Sequence, residues 1–176
     1  MSGARITLLT GGARCGKSRR ALALAESYAR KTYVATAQPI DDEMAERIMT
    51  HRSERGVEWE TIESPLALPE TLFQLKDDGR VAVVDCLTVW LGNVFHYEGA
   101  GAADARISEF VRALDGARID LILVTNEVGW GIVPDNASAR DFRDAAGRLN
   151  QDVARVADRV ELLIAGIPMI LKGEKR

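Results

Sequence analysis

The residues with the clearest chemical potential stand near the start of the chain. Residues 11–18 read Gly-Gly-Ala-Arg-Cys-Gly-Lys-Ser, which fits the pattern G-x-x-x-x-G-K-[ST]. In this pattern the glycines let backbone N–H groups converge on an anion. The Lys17 ammonium suits the outer phosphates of a nucleotide, and the Ser18 hydroxyl suits Mg²⁺. An apolar run precedes the motif and an Ala- and Leu-rich segment follows it. The sequence therefore predicts a phosphate-binding loop between a strand and a helix. The alternative is a chance glycine turn before a helix.

A carboxylate that could face the metal ion of a bound nucleotide follows another apolar run. Residues 81–84 read Val-Ala-Val-Val, which is typical of a strand buried on both faces, and Asp85 comes next. An acid at the end of a buried strand is what a phosphate-binding loop needs on its metal side. The alternative is an aspartate that only caps the following segment.

His51 ends a predicted helix over residues 41–52, on the face that carries Met44 and Ile48. One interpretation is a helix-end histidine that the helix dipole stabilises. The other is a nucleophile or general base beside a bound nucleotide, with Arg52 and Arg55 available to bind phosphate oxygens. His96 has no comparable neighbours, and we interpret it as structural.

Residues 126–134 form a second unusual segment, Asn-Glu-Val-Gly-Trp-Gly-Ile-Val-Pro. They follow a predicted buried strand, at the end where open α/β sheets place their ligands. Two glycines around Trp130 favour a loop that packs on something apolar or moves. A rigid turn with a buried Trp130 is the alternative.

The elements that must position these residues alternate along the chain, which is typical of a mostly parallel sheet covered by helices. Strands are predicted at residues 5–10, 32–36, 57–62, 81–84, 121–125, 160–165 and 167–171, the last two as a terminal pair. Helices are predicted at residues 17–29 and 41–52, from Pro65–Pro69 to residues 74–75, and around residues 107–114 and 142–156. Residues 92–101 are predicted to be the loosest stretch. Without linkers or repeats, residues 1–176 are predicted to form a single domain.

Composition excludes several classes of protein. The 176 residues are 47% hydrophobic and 28% charged with a net charge of −3, which argues against disorder and against nucleic-acid binding by bulk electrostatics. Two cysteines and two scattered histidines are too few for a disulfide framework or a zinc site. No apolar run is long enough to span a membrane, so we expect a cytoplasmic protein.

Taken together, these residues resemble one family. The matching segments lie in order between about residue 5 and residue 171, at residues 10–18, 33–38, 41–52, 59–63, 124–134 and 140–151. They are similar to the bifunctional adenosylcobinamide kinase / adenosylcobinamide-phosphate guanylyltransferase of cobalamin biosynthesis. The phosphate-binding loop alone would be generic, whereas the helix ending in His51 and the Asn-Glu-Val-Gly-x-Gly loop are specific to this pattern.

The resemblance implies a P-loop NTPase fold with a RecA-like sheet, a homotrimer and two reactions. A nucleoside triphosphate, ATP or GTP, phosphorylates the aminopropanol hydroxyl of adenosylcobinamide. GMP is then transferred from GTP to that phosphate through a covalent bond to His51, which gives adenosylcobinamide-GDP and pyrophosphate. A monofunctional P-loop kinase of a small metabolite and a nucleotide-dependent switch or assembly ATPase remain the alternatives.

The resemblance also assigns a nucleotide site, with Mg²⁺ on Ser18 and Asp85 and with Lys17 catalytic beside His51. Its predicted residues are Gly11, Gly12, Ala13, Arg14, Cys15, Gly16, Lys17, Ser18, Thr36, Ala37, Gln38, Arg52, Ser53, Glu54, Arg55, Glu63 and Asp85. Cys15 departs from the serine expected in relatives, but both residues are small. We expect residues 92–101 and 126–136, with Trp90 and Trp130, to form the corrinoid side between subunits.

Overall fold

The fold is that of a computed structural model, which describes residues 4–39 and 56–174. Its strands are β1 (Ile6–Gly11), β2 (Lys31–Ala35), β3 (Trp59–Glu63), β4 (Val81–Asp85), β5 (Asp120–Val124), β6 (Arg159–Ile164) and β7 (Ile167–Lys172). Its helices are α1 (Lys17–Ala25), α2 (Leu68–Gln74), α3 (Leu87–Tyr97), α4 (Ala103–Asp115) and α5 (Ala137–Val156). Short 3₁₀ turns cover Ala100–Ala102 and Val128–Trp130.

The strands form one sheet in the order β3-β2-β4-β5-β1-β6-β7. Each neighbouring pair from β3 to β6 is parallel, and β7 returns antiparallel to β6. Strand β5 therefore lies between β1 and β4. Its residue Val124 lies opposite Leu9 of β1 on one side and opposite Asp85 of β4 on the other. Because parallel strands end at the same edge, the segments that follow β1, β4 and β5 meet there.

Apolar side chains cover both faces of the sheet. Helix α1 packs on one face against β1, β4 and β5, over a cluster that includes Leu9, Val83 and Ile122. On the other face, a larger cluster includes the fully buried Trp90 and Phe110, whose ring centroids lie 5.2 Å apart. The core on both faces fixes the strand ends that carry the candidate site.

Helix α5 shows how local sequence sets an element boundary. The Asn136 side chain accepts a hydrogen bond from the Ala139 backbone N–H at 2.7 Å and so caps the helix. Further along, Ala146, Leu149 and Val153 recur at helical spacing and are buried. The helix predicted from this periodicity is confirmed, although it begins at residue 137.

The predicted mostly parallel sheet with a terminal strand pair is confirmed, with strand boundaries shifted by one or two residues. Helix α1 is shorter than predicted and ends at Ala25. Beyond it, the Tyr28 hydroxyl donates to Asp120 Oδ2 at 2.5 Å, which holds this segment against β5. The predicted helix over residues 41–52 lies outside the described residues.

The prediction that residues 92–101 are loose is wrong for their first half. Residues 92–97 belong to α3, whose Leu87, Trp90, Leu91 and Val94 recur at helical spacing and are completely buried. The three glycines of the stretch concealed this pattern. Trp90 lies in the core, where its indole N–H donates to Leu66 O at 3.0 Å, so it cannot contribute to a corrinoid surface as expected.

Candidate nucleotide-binding site

The loop over residues 11–18 joins β1 to α1 in a conformation that requires glycine at two positions. Gly11 has φ 143°, and a Cβ there would lie 2.5 Å from the carbonyl oxygen of Leu163. Gly16 has φ 97°, and a Cβ there would lie 3.3 Å from Gly166 Cα. Positive φ and these close approaches exclude side chains. The backbone can therefore turn tightly enough to present its N–H groups on one side.

Helix α1 begins at Lys17 without a side-chain cap. The N–H groups of its first turn therefore have no side-chain acceptor, and they carry the partial positive charge of the helix N-terminus. Such a terminus binds phosphate well. This geometry supports the phosphate-binding role predicted for the motif.

Lys17 is buried within the loop, with 6% of its surface exposed. Its Nζ donates to Gly12 O at 2.6 Å and to Gly11 O at 3.1 Å. These carbonyls belong to the loop itself, so the ammonium is held beside the surface on which a phosphate would lie. A lysine in this position supplies a compact positive charge to phosphate oxygens.

Asp85, the last residue of β4, faces the loop from the far side of β5. The Tyr33 hydroxyl donates to Asp85 Oδ2 at 3.0 Å, which orients the carboxylate. Asp85 and Ser18 both line one cleft, and a hydroxyl and a carboxylate are oxygen ligands that suit Mg²⁺. Among residues 4–39 and 56–174, no group of three or more His, Cys, Asp or Glu side chains could hold a metal ion. Phosphate oxygens or water would therefore have to complete the ligands of Mg²⁺.

The cleft has a volume of about 680 Å³, within the range of roughly 300–1,000 Å³ that small-molecule sites occupy. It collects residues from the carboxyl ends of β2, β4 and β5 and from the turn between β6 and β7. The predicted residues that line it are Ala13, Arg14, Cys15, Gly16, Lys17, Ser18, Ala37 and Asp85. The sequence did not predict the lining residues Arg19, Tyr33, Cys86, Val89, Val124, Ala165 and Gly166 as part of the site, and it predicted Asn126 only for the corrinoid side.

Other predicted residues lie near the cleft without lining it. Thr36 is completely buried, and its hydroxyl donates to Cys86 O and accepts from Cys86 N, both at 2.8 Å. Gln38 accepts a hydrogen bond from the Tyr97 hydroxyl at 3.1 Å. Glu63 is exposed at the end of β3. The two hydrogen bonds between Thr36 and Cys86 join the end of β2 to the end of β4. The predicted residues His51, Arg52, Ser53, Glu54 and Arg55 lie outside the described residues.

Cys86 lines the cleft as a buried free thiol. Burial raises the pKa of this thiol to about 12, and the negative charge of Asp85 acts in the same direction. The thiol is therefore neutral near pH 7. The raised pKa therefore disfavours a thiolate nucleophile at this position.

A buried ionic cluster joins α1 to β6 behind the loop. Arg20 donates through Nε and Nη2 to the two carboxylate oxygens of Glu161 at 2.8 and 3.0 Å, and Arg159 Nε donates to Oε1 at 2.7 Å. The Glu161 side chain is completely buried. Burial alone would raise the pKa of Glu161, but its hydrogen bonds to Arg20 and Arg159 outweigh burial and lower it. The carboxylate is therefore charged and fixes the position of α1 against β6.

Two solved structures share the fold at low sequence identity. The prototypical ATPase of the type III secretion system of pathogenic bacteria matches with a TM-score of 0.62 and 12% identity, over 91% of this chain and 51% of that chain. The RadB recombinase matches with a TM-score of 0.52 and 13% identity, over 90% of this chain and 73% of that chain. These similarities confirm the predicted RecA-like P-loop fold. No helix in the described part of the chain is long and apolar enough to cross a membrane.

Sequence comparison identifies nearer relatives. The bifunctional adenosylcobalamin biosynthesis protein CobP of Pseudomonas aeruginosa is 44% identical, over 95% of this chain and 97% of the relative. The corresponding protein CobU of Escherichia coli K12 is 40% identical, over 94% of this chain and 98% of the relative. Residues 7–171 also match the family described as cobinamide kinase / cobinamide phosphate guanyltransferase. The chain therefore belongs to the cobinamide kinase / cobinamide phosphate guanyltransferase family of enzymes.

Proposed function

We propose that this chain carries out both reactions for which its family is named. A nucleoside triphosphate, ATP or GTP, would phosphorylate the aminopropanol hydroxyl of adenosylcobinamide, and GTP would then give its GMP group to that phosphate. The products would be adenosylcobinamide-GDP and pyrophosphate. The observation that carries this proposal is the glycine-rich loop with Lys17 and Asp85 at one cleft, in a chain that matches the bifunctional relatives along nearly their whole length.

The residues of the cleft divide the work of phosphate binding. The loop amides and the N-terminus of α1 bind phosphate oxygens, and Lys17 stabilises negative charge that develops during transfer. Ser18 and Asp85 would hold Mg²⁺, which supplies further positive charge to the phosphates when bound. The chain thus achieves transfer by positioning and charge stabilisation.

Guanylyl transfer needs a nucleophile, and we assign this role to His51. A neutral imidazole nitrogen would attack the α-phosphorus of GTP, forming a P–N bond as the bond to pyrophosphate breaks. The phosphate of the corrinoid substrate would then displace the imidazole. Arg52 and Arg55 carry positive charges near His51 in the sequence, which favours the neutral ring and the binding of phosphate.

The segment after β5 is our candidate for the corrinoid side of the site. Trp130, Ile132 and Val133 have exposed fractions of 65%, 97% and 62%, so the alternative of a rigid turn with a buried Trp130 is wrong. A contiguous set of exposed apolar side chains suits a large amphipathic ligand. Asn126, at the start of the same segment, lines the cleft, so the corrinoid could reach the nucleotide.

We further propose a homotrimer that works in the cytoplasm. Ile167, Met169 and Leu171 of β7 are each more than half exposed, which supports burial of this strand against another copy of the chain. Cys15 and Cys86 are free thiols, as expected in a reducing compartment that also supplies nucleoside triphosphates. Size measurement of a variant with Met169→Lys tests the assembly, because a charge at a subunit contact should produce a monomer.

Covalent labelling tests the proposed function. The chain is incubated with α-labelled GTP and separated on a denaturing gel, with His51→Ala and His96→Ala as variants. His96 is exposed and contacts Tyr97, so it serves as a matched control. Label that is acid-labile and alkali-stable should appear on the unaltered chain and on His96→Ala, but not on His51→Ala.

The same variants separate the function from its alternatives. His51→Ala should retain cobinamide kinase activity, because γ-phosphoryl transfer goes directly to a hydroxyl. Label on folded His51→Ala, or equal loss of both activities, would show that His51 is not the nucleophile. A monofunctional kinase or an assembly ATPase would give no covalent label on any of the three proteins.

A further inference from the structure

A chain of buried polar side chains lies beside the phosphate-binding loop, at the carboxyl ends of β1 and β5. The Thr10 hydroxyl donates to Glu127 Oε1 at 2.5 Å, and Asn150 Nδ2 donates to the same oxygen at 3.1 Å. Asn150 is itself held by the Thr125 hydroxyl, which donates to Asn150 Oδ1 at 2.7 Å. Thr10, Thr125 and Asn150 are buried, with exposed fractions of 6%, 1% and 8%. The cluster therefore fixes the orientation of one carboxylate.

The structure of this cluster does not itself require a carboxylate. Both hydrogen bonds reach Oε1, and an amide oxygen could also accept them, although less strongly than a carboxylate oxygen. Within residues 4–39 and 56–174, Glu127 forms no ion pair with Lys or Arg. Its second oxygen has no hydrogen bond there, and the side chain is partly exposed. An accepting oxygen thus remains available at the rim of the cluster.

Glu127 is tied to the phosphate-binding loop through its own backbone. Its N–H donates to Gly11 O at 3.1 Å, and Lys17 Nζ donates to the same carbonyl oxygen at 3.1 Å. The preceding residue, Asn126, lines the cleft. Because β5 lies between β1 and β4, the segment that carries Glu127 starts between the loop and Asp85. These contacts place the backbone of Glu127 next to Lys17, at the edge of a cleft whose lining includes Asn126.

We propose that Glu127 is the general base of the kinase step, with Thr10 and Asn150 as its positioning residues. The oxygen of the acceptor hydroxyl forms a bond to the γ-phosphorus, while the bond from that phosphorus to the leaving nucleoside diphosphate breaks. The hydroxyl proton passes to the free oxygen of Glu127 and then to solvent. This assignment rests on the proposed function, since it concerns the first of the two reactions.

The second reaction has no need of this base. Its acceptor is a phosphate monoester, which is largely ionised at pH 7 because its second pKa lies near 6. No proton has to be removed before it attacks the guanylylated histidine. The two reactions should therefore respond differently to the loss of the Glu127 carboxylate.

The test compares Glu127→Gln with the unaltered chain in two assays. The kinase assay uses adenosylcobinamide and ATP, and the guanylyl-transfer assay uses GTP and adenosylcobinamide that already carries its phosphate. We expect the kinase kcat of Glu127→Gln to fall roughly 100-fold, as is typical for the loss of a general base. The KM for ATP and the guanylyl-transfer rate of Glu127→Gln should stay within about threefold of the values for the unaltered chain, because the carboxylate is not expected to bind phosphate. Glu26→Gln is the matched control, because Glu26 is exposed and lies just after the C-terminal end of α1.

A second pair of variants tests the positioning role. Thr10→Val removes the hydroxyl that donates to Glu127 at nearly constant shape, and Thr10→Ser retains it. The kinase kcat should fall in Thr10→Val and recover in Thr10→Ser, with no change in guanylyl transfer. A purely structural role of the hydroxyl would lower both activities together.

Three results would overturn the inference. Glu127→Gln with a kinase kcat within threefold of the unaltered chain would show that no base acts there. Equal loss of both activities in folded Glu127→Gln would show a structural role. The inference would also be overturned if the unaltered chain transferred GMP but had no kinase activity. Absence of both reactions in the unaltered chain would instead overturn the proposed function.

Discussion

The backbone N–H of Gly166 donates to the carbonyl oxygen of Cys15 at 3.0 Å, across 151 positions of the chain. Through this bond the turn between β6 and β7 supports the phosphate-binding loop from the side opposite Asp85. Ala165 and Gly166 have positive φ values of 50° and 81°, as a two-residue turn with both central residues left-handed requires. The turn is thus a structural part of the cleft in which we propose that nucleotide binds.

Gly166→Ala should therefore weaken nucleotide binding. A Cβ at this position costs about 1–2 kcal/mol in the left-handed region and would lie 3.4 Å from the Arg19 guanidinium. We expect a several-fold rise in the Kd for GTP, measured by calorimetry. Gly79→Ala is the control, since Gly79 has φ 77° with open space around it and lies outside the cleft. Equal effects of the two variants on Kd would show that only general strain is involved.

Lys17→Ala should impair both reactions, because one phosphate-binding loop serves them both. Loss of a charge-assisted phosphate contact typically costs about 2–4 kcal/mol, or roughly 30- to 1000-fold in rate. Steady-state kinetics of the kinase and guanylyl-transfer reactions measure the effect. Lys76→Ala, an exposed lysine after α2, controls for the loss of a positive charge. Unchanged kinetics in folded Lys17→Ala would contradict the nucleotide site.

Trp130→Ala should raise the KM for the corrinoid without changing the KM for GTP. An aromatic side chain buried by a ligand contributes about 1.5–3 kcal/mol, so a rise of roughly 10- to 100-fold is expected. Phe73→Ala is a close control, since Phe73 is 63% exposed against 65% for Trp130 and lies on α2, away from the cleft. A KM for corrinoid that stays constant would place the ligand elsewhere.

Glu161→Gln should lower the free energy of unfolding at pH 7 by about 1–3 kcal/mol, because Arg20 and Arg159 lose their buried carboxylate. The pKa of Glu161 is lower in the folded chain than in the unfolded chain. Its contribution is therefore fully present above the unfolded pKa, near 4.3, and is lost as pH falls through the folded pKa. Urea unfolding at pH 7, 5 and 3 should show the two proteins converging in acid. A difference that grows in acid would contradict this sign.

Local patterns were enough to predict much of the fold and the core of the site. Glycine spacing identified residues 11–18, and apolar runs identified the strands that carry them and Asp85, because both signals are short-range. The turn at Gly166 was predicted as the link within the terminal strand pair, but its place beside Cys15 was not, since that place depends on β6 pairing with β1 at the far end of the chain. The role of Thr36 in joining two strand ends depends in the same way on the pairing of β2 with β4.

Helix α3 shows why one prediction was wrong. Gly92, Gly99 and Gly101 favour a loop, but Gly92 lies within the helix, where the nearest atom to a Cβ would be Phe142 Cε2 at 3.9 Å. Burial of Trp90 and Leu91 outweighs the cost of about 1 kcal/mol for one glycine in a helix. Tertiary packing, which a local pattern does not contain, determined this element.

The antiparallel return of β7 has a consequence for how copies of this chain can meet. Ile164 and Ile167 flank the two-residue turn and exchange backbone hydrogen bonds, so the next pair, Leu163 and Pro168, does not. The ring nitrogen of Pro168 therefore faces the open edge of the sheet, where it carries no hydrogen to donate. An additional strand would lack a hydrogen-bond donor at this position of the edge, which disfavours edge-to-edge aggregation of the chain. We therefore expect copies that associate through β7 to do so by packing side chains rather than by extending the sheet.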